Sequence, residues 1–160
     1  MARKSKTDLD ETDKKMLRML QENARIKGAD LGRALNLTDG TIIARLRRME
    51  DSGLITGYHA AVEPAKVDLK LVFITVALQR HDSPDHFRQF VKQRPEVLEC
   101  YALFGEADYI LKAAVSSDAH LRSLLEKIHP YGRTECKMVF FPVITFRAID
   151  RTEEGWLDRS

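Results

Sequence analysis

Cysteine is scarce in this chain of 160 residues. Cys100 and Cys136 form no short-spaced metal pair, and in their strand-like surroundings they read as free buried thiols of a cytoplasmic protein. The five histidines, His59, His81, His86, His120 and His129, show no paired ligand spacing. A nucleophile–base signature and a glycine-rich phosphate loop are also missing. No catalytic residue, metal ligand or cofactor site is therefore expected. No apolar run is long enough for a membrane-spanning helix, and the N-terminus lacks the apolar core of a signal peptide, so no membrane partner is expected. Charge of one sign is missing too. The net charge is +2, with 12 Lys and Arg against 9 Asp and Glu in residues 1–62, and 14 against 15 in residues 63–160. That slight basic bias favours the N-terminal half as the one that meets a polyanion. The tail Arg3-Lys4-Ser5-Lys6 is either a phosphate contact or a solvated terminus.

What is present is a helix, a tight turn and a longer helix rich in arginine, within residues 31–49. Leu31, Ala34 and Leu35 recur at helical spacing and give the first of these helices an apolar stripe. Asn36 tolerates the left-handed backbone that ends it, Leu37 drops into the core, and Thr38 is placed to cap the next helix. In that next helix Ile42, Leu46 and Met49 share one face. At about 100° per residue the opposite face carries Gly40, Ala44, Arg47 and Asp51. Thr41, Ile43 and Arg48 flank it, and Arg45 lies nearer the apolar stripe. Small residues let a helix approach base edges, arginine bonds guanine or phosphate, and isoleucine can meet a thymine methyl. The candidate DNA-binding residues are thus Thr38, Gly40, Thr41, Ile43, Ala44, Arg45, Arg47 and Arg48. An arginine-rich helix face that is merely solvated is the plain alternative.

Upstream, Asp10 caps a first helix, Asp13 adds negative charge to its first turn, and Met16, Leu17, Leu20 and Ala24 form its stripe. Downstream, Gly53 ends the arginine helix and Leu54-Ile55-Thr56-Gly57-Tyr58 starts a strand-and-turn segment resembling a wing. Glu63-Pro64-Ala65-Lys66 reads as a linker. The period then changes. Residues 71–78 read as a strand, and Ser83-Pro84-Asp85 opens a helix that stops near Pro95. Residues 97–104 and 109–115 read as strands joined by Gly105-Glu106-Ala107-Asp108, residues 118–129 as a helix, and residues 137–146 as a last strand. The fold class is α+β: a winged helix-turn-helix followed by a ferredoxin-like βαββαβ unit. The expected division is 8–60 for the DNA-binding domain (helix-turn-helix about 28–48), 61–70 for the linker, 71–150 for the sheet domain and 151–160 for a tail.

Both helices of such a unit cover one face of the sheet. Yet the first strand is apolar on both sides, with Val72, Ile74, Val76 and Leu78 against Leu71, Phe73 and Ala77. The last strand repeats the pattern with Met138 and Phe140 against Val139, Phe141 and Val143. A half-covered antiparallel sheet should alternate apolar and polar. A second copy of the sheet is the economical cover, and the N-terminal domain folding back is the alternative.

The run Leu9-Asp10-x-x-Asp13-x-x-Met16-Leu17, the helix-turn-helix with Arg45-Leu46-x-Arg48-Met49-Glu50, Gly53-Leu54-Ile55-x-Gly57-Tyr58 and Gly105-Glu106-Ala107-Asp108-Tyr109 follow one another along residues 9–148. Together they resemble the Lrp/AsnC (feast/famine) transcriptional regulators. The resemblance implies a sequence-specific DNA-binding regulator of double-stranded DNA, forming dimers that assemble into tetramers or octamers. It also implies control by a small molecule, often an amino acid, bound near the turn between the second and third strands where subunits meet. Carried over, the effector residues are Gly105, Glu106, Ala107 and Asp108, with Thr134 and Cys136 on the last strand. Two departures stand out. Ile128-His129-Pro130-Tyr131-Gly132-Arg133 replaces the usual Leu-Pro-Gly-Val element, and Thr134-Glu135-Cys136 replaces Thr-x-Thr, which removes a hydroxyl from the implied pocket. Two rival classes share the architecture: a tetrapyrrole-modifying enzyme, and a ligand-sensing scaffold without DNA binding.

Overall fold

The structure, a computed structural model, describes residues 9–79 and 83–149. The tail Arg3-Lys4-Ser5-Lys6, His81 and the tail 151–160 lie outside the described residues. The chain divides into two compact units. The described part of the first is 9–60 with 144–149, and the second is 61–143.

The first unit holds three helices: α1 (Glu11–Glu22), α2 (Gly28–Leu35) and α3 (Asp39–Asp51). Met16, Leu20, Leu31, Ile42 and Met49 are its buried core, with Leu17, Ile26, Leu35, Leu37 and Leu46 packed around them. Ala24 and Ala34 were expected on the apolar stripes and are exposed instead. The first helix ends at Glu22, so Ile26 takes the place of Ala24; in α2 the glycine Gly32 is buried in place of Ala34. After α3 the segment expected to start a strand has no strand, since among the described residues no segment of this unit pairs with it. It is tied down by other bonds: Leu54 and Ile55 donate their amides to the Met49 carbonyl, and the Tyr58 hydroxyl donates to Glu50 at 2.9 Å. Burial, then the Glu50 carboxylate, pushes the Tyr58 hydroxyl up to about 12. The returning segment 144–149 is held at its end by the Gln21 side chain, which accepts from the Ile149 amide at 2.8 Å and donates to its carbonyl at 3.0 Å.

The second unit is a four-stranded antiparallel sheet in the order β2-β3-β1-β4, from β1 (Lys70–Leu78), β2 (Val97–Ala102), β3 (Tyr109–Val115) and β4 (Gly132–Met138). Helices α4 (Pro84–Lys92) and α5 (Asp118–Ile128) follow β1 and β3. Ser83 caps α4 and Pro84 is its first residue. Both helices pack on one face: Phe87, Val91, Leu124 and Ile128 are buried with Val72, Ile74, Val76, Leu111, Ala113 and Val115. Phe87 anchors this layer, with Tyr109 at 4.9 Å and Tyr131 at 5.5 Å between ring centres. This is the expected βαββαβ unit.

The last strand lies earlier than expected, at Gly132–Met138 rather than 137–146. Among the described residues its only neighbouring strand is β1. Gly132 opposes Leu78 and Met138 opposes Val72, and one further bond from the Val139 amide to the Leu71 carbonyl reaches the start of β1. The ladder runs out there, and Pro142 has no amide to extend one. The register also corrects the expected two-sided apolar pattern of this strand. Thr134, Cys136 and Met138 share the helix side with Val76, Ile74 and Val72, while Arg133, Glu135 and Lys137 point the other way. The helix-free face therefore carries the apolar Leu71, Phe73, Ile110 and Ala114 on β1 and β3, interrupted by Thr75 and Lys112, and is charged along β4. In the single chain Phe140, Phe141, Val143, Ile144 and Phe146 are all exposed.

Candidate nucleic-acid interface and effector turn

The turn between α2 and α3 rests on Gly32 and Asn36. Asn36 caps α2 in the left-handed conformation (φ 54°, ψ 46°), and the Leu37 amide donates to the Gly32 carbonyl at 2.8 Å. The Leu37 carbonyl comes so close that a Cβ on Gly32 would sit 2.7 Å from it. Only glycine lets the chain double back this tightly. Thr38 then caps α3: its Oγ1 accepts from the Thr41 amide and lies 2.9 Å from Thr41 Oγ1.

With Ile42 and Met49 fully buried, the opposite face of α3 carries Gly40, Ile43, Ala44 and Arg47, all exposed. Thr38 is exposed and Thr41 half-buried at the helix start. Among the described residues Arg47 makes no ion pair. Arg45 and Arg48 have different surroundings. Asp13, fully buried on α1, accepts from Arg45 Nη1 at 2.7 Å on one oxygen and from Arg48 Nη2 on the other. Asp10 accepts from Arg45 at 2.6 Å while accepting the Asp13 amide at 2.7 Å as the helix cap. The Arg45 hydrogen bond, with the cap bond behind it, holds the Asp10 carboxyl below the usual carboxylate range. The structure thus brings six of the eight expected DNA residues onto one open surface, and gives Arg45 and Arg48 carboxylate partners inside the unit. Asp13 was read only as a first-turn acid. The signal for its burial lies in its spacing, since Asp13, Met16, Leu17 and Leu20 fall on one helical stripe.

At the other expected site, the turn Gly105-Glu106-Ala107-Asp108 closes on the end of β1. Asp108 donates its amide to the Val76 carbonyl at 2.9 Å, accepts the Leu103 amide at 2.8 Å, and its Oδ2 accepts the Leu78 amide at 2.7 Å. The carboxylate expected to hold a ligand ammonium therefore also fastens the turn to the sheet. Gly105 and Glu106 are exposed and Ala107 is half-buried. Thr134 lies across β1 from this turn, in one row with Val76 and Tyr109, so two strand spacings, about 10 Å, separate them. Cys136 is one pair further in, packed against the helix-covered core, and burial pushes its thiol up. The two halves of the expected effector site reach one end of the sheet without touching within a single chain.

A helix-turn-helix with an open, arginine-bearing second helix, joined to a βαββαβ unit, defines a DNA-binding regulator with a sensing domain. Residues 9–56 match the winged helix-turn-helix DNA-binding family and residues 71–149 the Lrp/AsnC ligand binding domain. Over 123 residues the chain is 38% identical to the proline dehydrogenase transcriptional activator of Rhodobacter capsulatus, covering 74% of this chain and 80% of that protein. It is 37% identical over 122 residues to the leucine-responsive regulatory protein of Escherichia coli, covering 74% of each. A Neisseria meningitidis transcriptional regulator solved as its L-Met complex superposes with a TM-score of 0.81 at 30% identity, over 89% of this chain and 96% of that one. LrpC of B. subtilis gives a TM-score of 0.80 at 25% identity, over 87% and 99% of the two chains. The chain belongs to the Lrp/AsnC family: it is a DNA-binding transcriptional regulator with a ligand-binding domain.

Proposed function

We propose that this regulator reads double-stranded DNA through the exposed face of α3, with Arg47 as its principal side-chain contact. The observation that carries this reading is Arg47, exposed and without an ion pair among the described residues, beside Gly40, Ile43 and Ala44 on a helix whose opposite side buries Ile42 and Met49. Small residues at the helix start allow close approach to base edges, and the arginine about two turns on can bond a guanine or a phosphate. Arg47→Ala should weaken binding to the native site by about 1–3 kcal/mol if the contact is bidentate to a base. The side chain is exposed, so thermal unfolding should be unchanged. Unaltered affinity by gel shift, with normal unfolding, would remove Arg47 from the interface.

The effector we assign is an amino acid, held at the 105–108 turn where two subunits meet. Support comes from relatives: one is named as leucine-responsive and another was solved with L-Met. The turn presents backbone amides for a carboxylate and the acids Glu106 and Asp108 for an ammonium. Asp108→Asn keeps an oxygen for the Leu78 amide while removing the charge. Amino-acid affinity should fall about tenfold or more, since hydrogen bonds to charged groups contribute about 1.5–3 kcal/mol. Calorimetry with an amino-acid panel checks this, and equal binding by parent and variant would make the carboxylate purely structural.

The same reading makes the working unit at least a dimer, paired through the helix-free sheet face. Leu71, Phe73, Ile110 and Ala114 lie side by side there, and the charges at its centre are matched, Lys112 bonding Glu99 at 2.8 Å. A regulatory rather than enzymatic role fits relatives that are named as transcriptional regulators. Among the described residues no helix is long and apolar enough to cross a membrane.

A further inference from the structure

Three arginines, Arg45, Arg47 and Arg48, fall within four positions of α3, and a helix so equipped should grip any DNA through its phosphates. Two of the three are engaged. Arg45 bonds Asp13 at 2.7 Å and Asp10 at 2.6 Å, and Arg48 bonds the other oxygen of Asp13. The Asp10 amide also donates to Asp13 Oδ2 at 3.2 Å, so the buried carboxylate is held from three sides. Asp13 is fully buried, whereas Arg48 keeps about half of its side chain in water.

We infer that the Asp10–Asp13 pair is an arginine clamp: it withholds Arg45 and Arg48 from DNA phosphate and so sets how far binding depends on sequence. Asp13 is in this sense a specificity-determining positioning residue. The inference rests on α3 being the DNA-reading helix. A phosphate that drew Arg45 and Arg48 away would leave Asp13 buried without its counter-charges, and breaking a buried pair from one side is strongly unfavourable. The arginines therefore stay on Asp13 when the helix docks. Sequence-independent affinity grows with the number of phosphates neutralised, whereas base contacts carry the discrimination. Holding back two cations lowers the first without touching the second.

The distinguishing readout is the salt dependence of binding. Each phosphate neutralised contributes about 0.9 to the slope of log affinity against log salt. The test measures the full chain by fluorescence anisotropy on its native site and on a scrambled duplex, across a range of salt. Asp13→Asn keeps the shape and an acceptor but removes the charge. It should steepen the slope by about 1 to 2. It should also tighten binding to the scrambled duplex by about tenfold at low salt and narrow the ratio between the two duplexes. A folded Asp13→Asn with the parent slope overturns the clamp. Arg48→Gln provides the second arm: glutamine keeps an N–H donor for Asp13 Oδ2 while Arg45 retains the counter-charge on the other oxygen, and thermal unfolding checks that the variant is folded. Its slope should match the parent, and a slope shallower by about 1 would show Arg48 on phosphate and overturn the inference. Arg47→Ala separates the two readings. If it leaves affinity untouched, Arg47 is not the principal contact of α3, and the reading on which the clamp rests has failed. If it weakens binding while Arg48→Gln flattens the slope, only the clamp has failed.

Discussion

Gly132→Ala should destabilise the chain by about 3 kcal/mol, at the upper end of what overpacking costs. A Cβ at position 132 would lie 2.1 Å from the Ala77 carbonyl oxygen and 2.9 Å from Leu78 Cα. Both are backbone atoms, so no side chain can swing aside to relieve the clash. Gly132 also opens β4 opposite Leu78, which makes the whole β1–β4 ladder depend on this approach. Because the Leu78 amide is the donor that Asp108 accepts, displacement of β1 should loosen the 105–108 turn as well. Urea unfolding of the variant beside Gly28→Ala, whose Cβ would meet nothing within 4 Å, checks the steric cause. Similar midpoints for the two variants would exclude it.

On the proposed pairing through the helix-free sheet face, Phe73→Asp should turn the protein into monomers. Phe73 lies on the helix-free face of β1, 36% exposed in the single chain, with Lys112 and Lys137 opposite it on β3 and β4. A carboxylate there reaches water in a lone chain, so the monomer should fold. In a paired sheet face the same carboxylate would lose its water while Lys112 and Lys137 are already bonded to Glu99 and Glu135, a cost of several kcal/mol. Light scattering should show the mass of one chain. Affinity for a two-half-site DNA should fall about a hundredfold, because two linked reading helices gain that much from acting together. A variant that keeps the parent's mass would take Phe73 out of the interface.

Local chemistry made much of this molecule readable. Asp10, Thr38 and Ser83 each stand before a helix and each caps it, Asn36 takes the left-handed position, and Pro84 opens α4. These features depend on a few neighbouring residues, and so does the apolar period that separates the helical unit from the sheet. What was misread depends on distant partners. The apolar run 137–146 looks like a strand, but whether it pairs is decided by where β1 begins. Asp13 has a sufficient local explanation as a first-turn acid, and only the position of α3 shows that it lies under two arginines. Asp108 reads as a free acid until β1 places the Leu78 amide against it.

The bonds between Gln21 and Ile149 have a bearing on modularity. Residues 144–149 belong to the same unit as the three helices, so the chain passes between its two units twice, once near residue 60 and again near residue 143. The two functions are therefore not arranged as beads on a string. A chimera that exchanges the sensing half at the first crossing alone would carry off the segment that Gln21 holds. Swapping sensors between relatives while keeping the reading head whole requires two junctions. A single recombination event within such genes would join a helical unit to a terminal segment that had evolved against another.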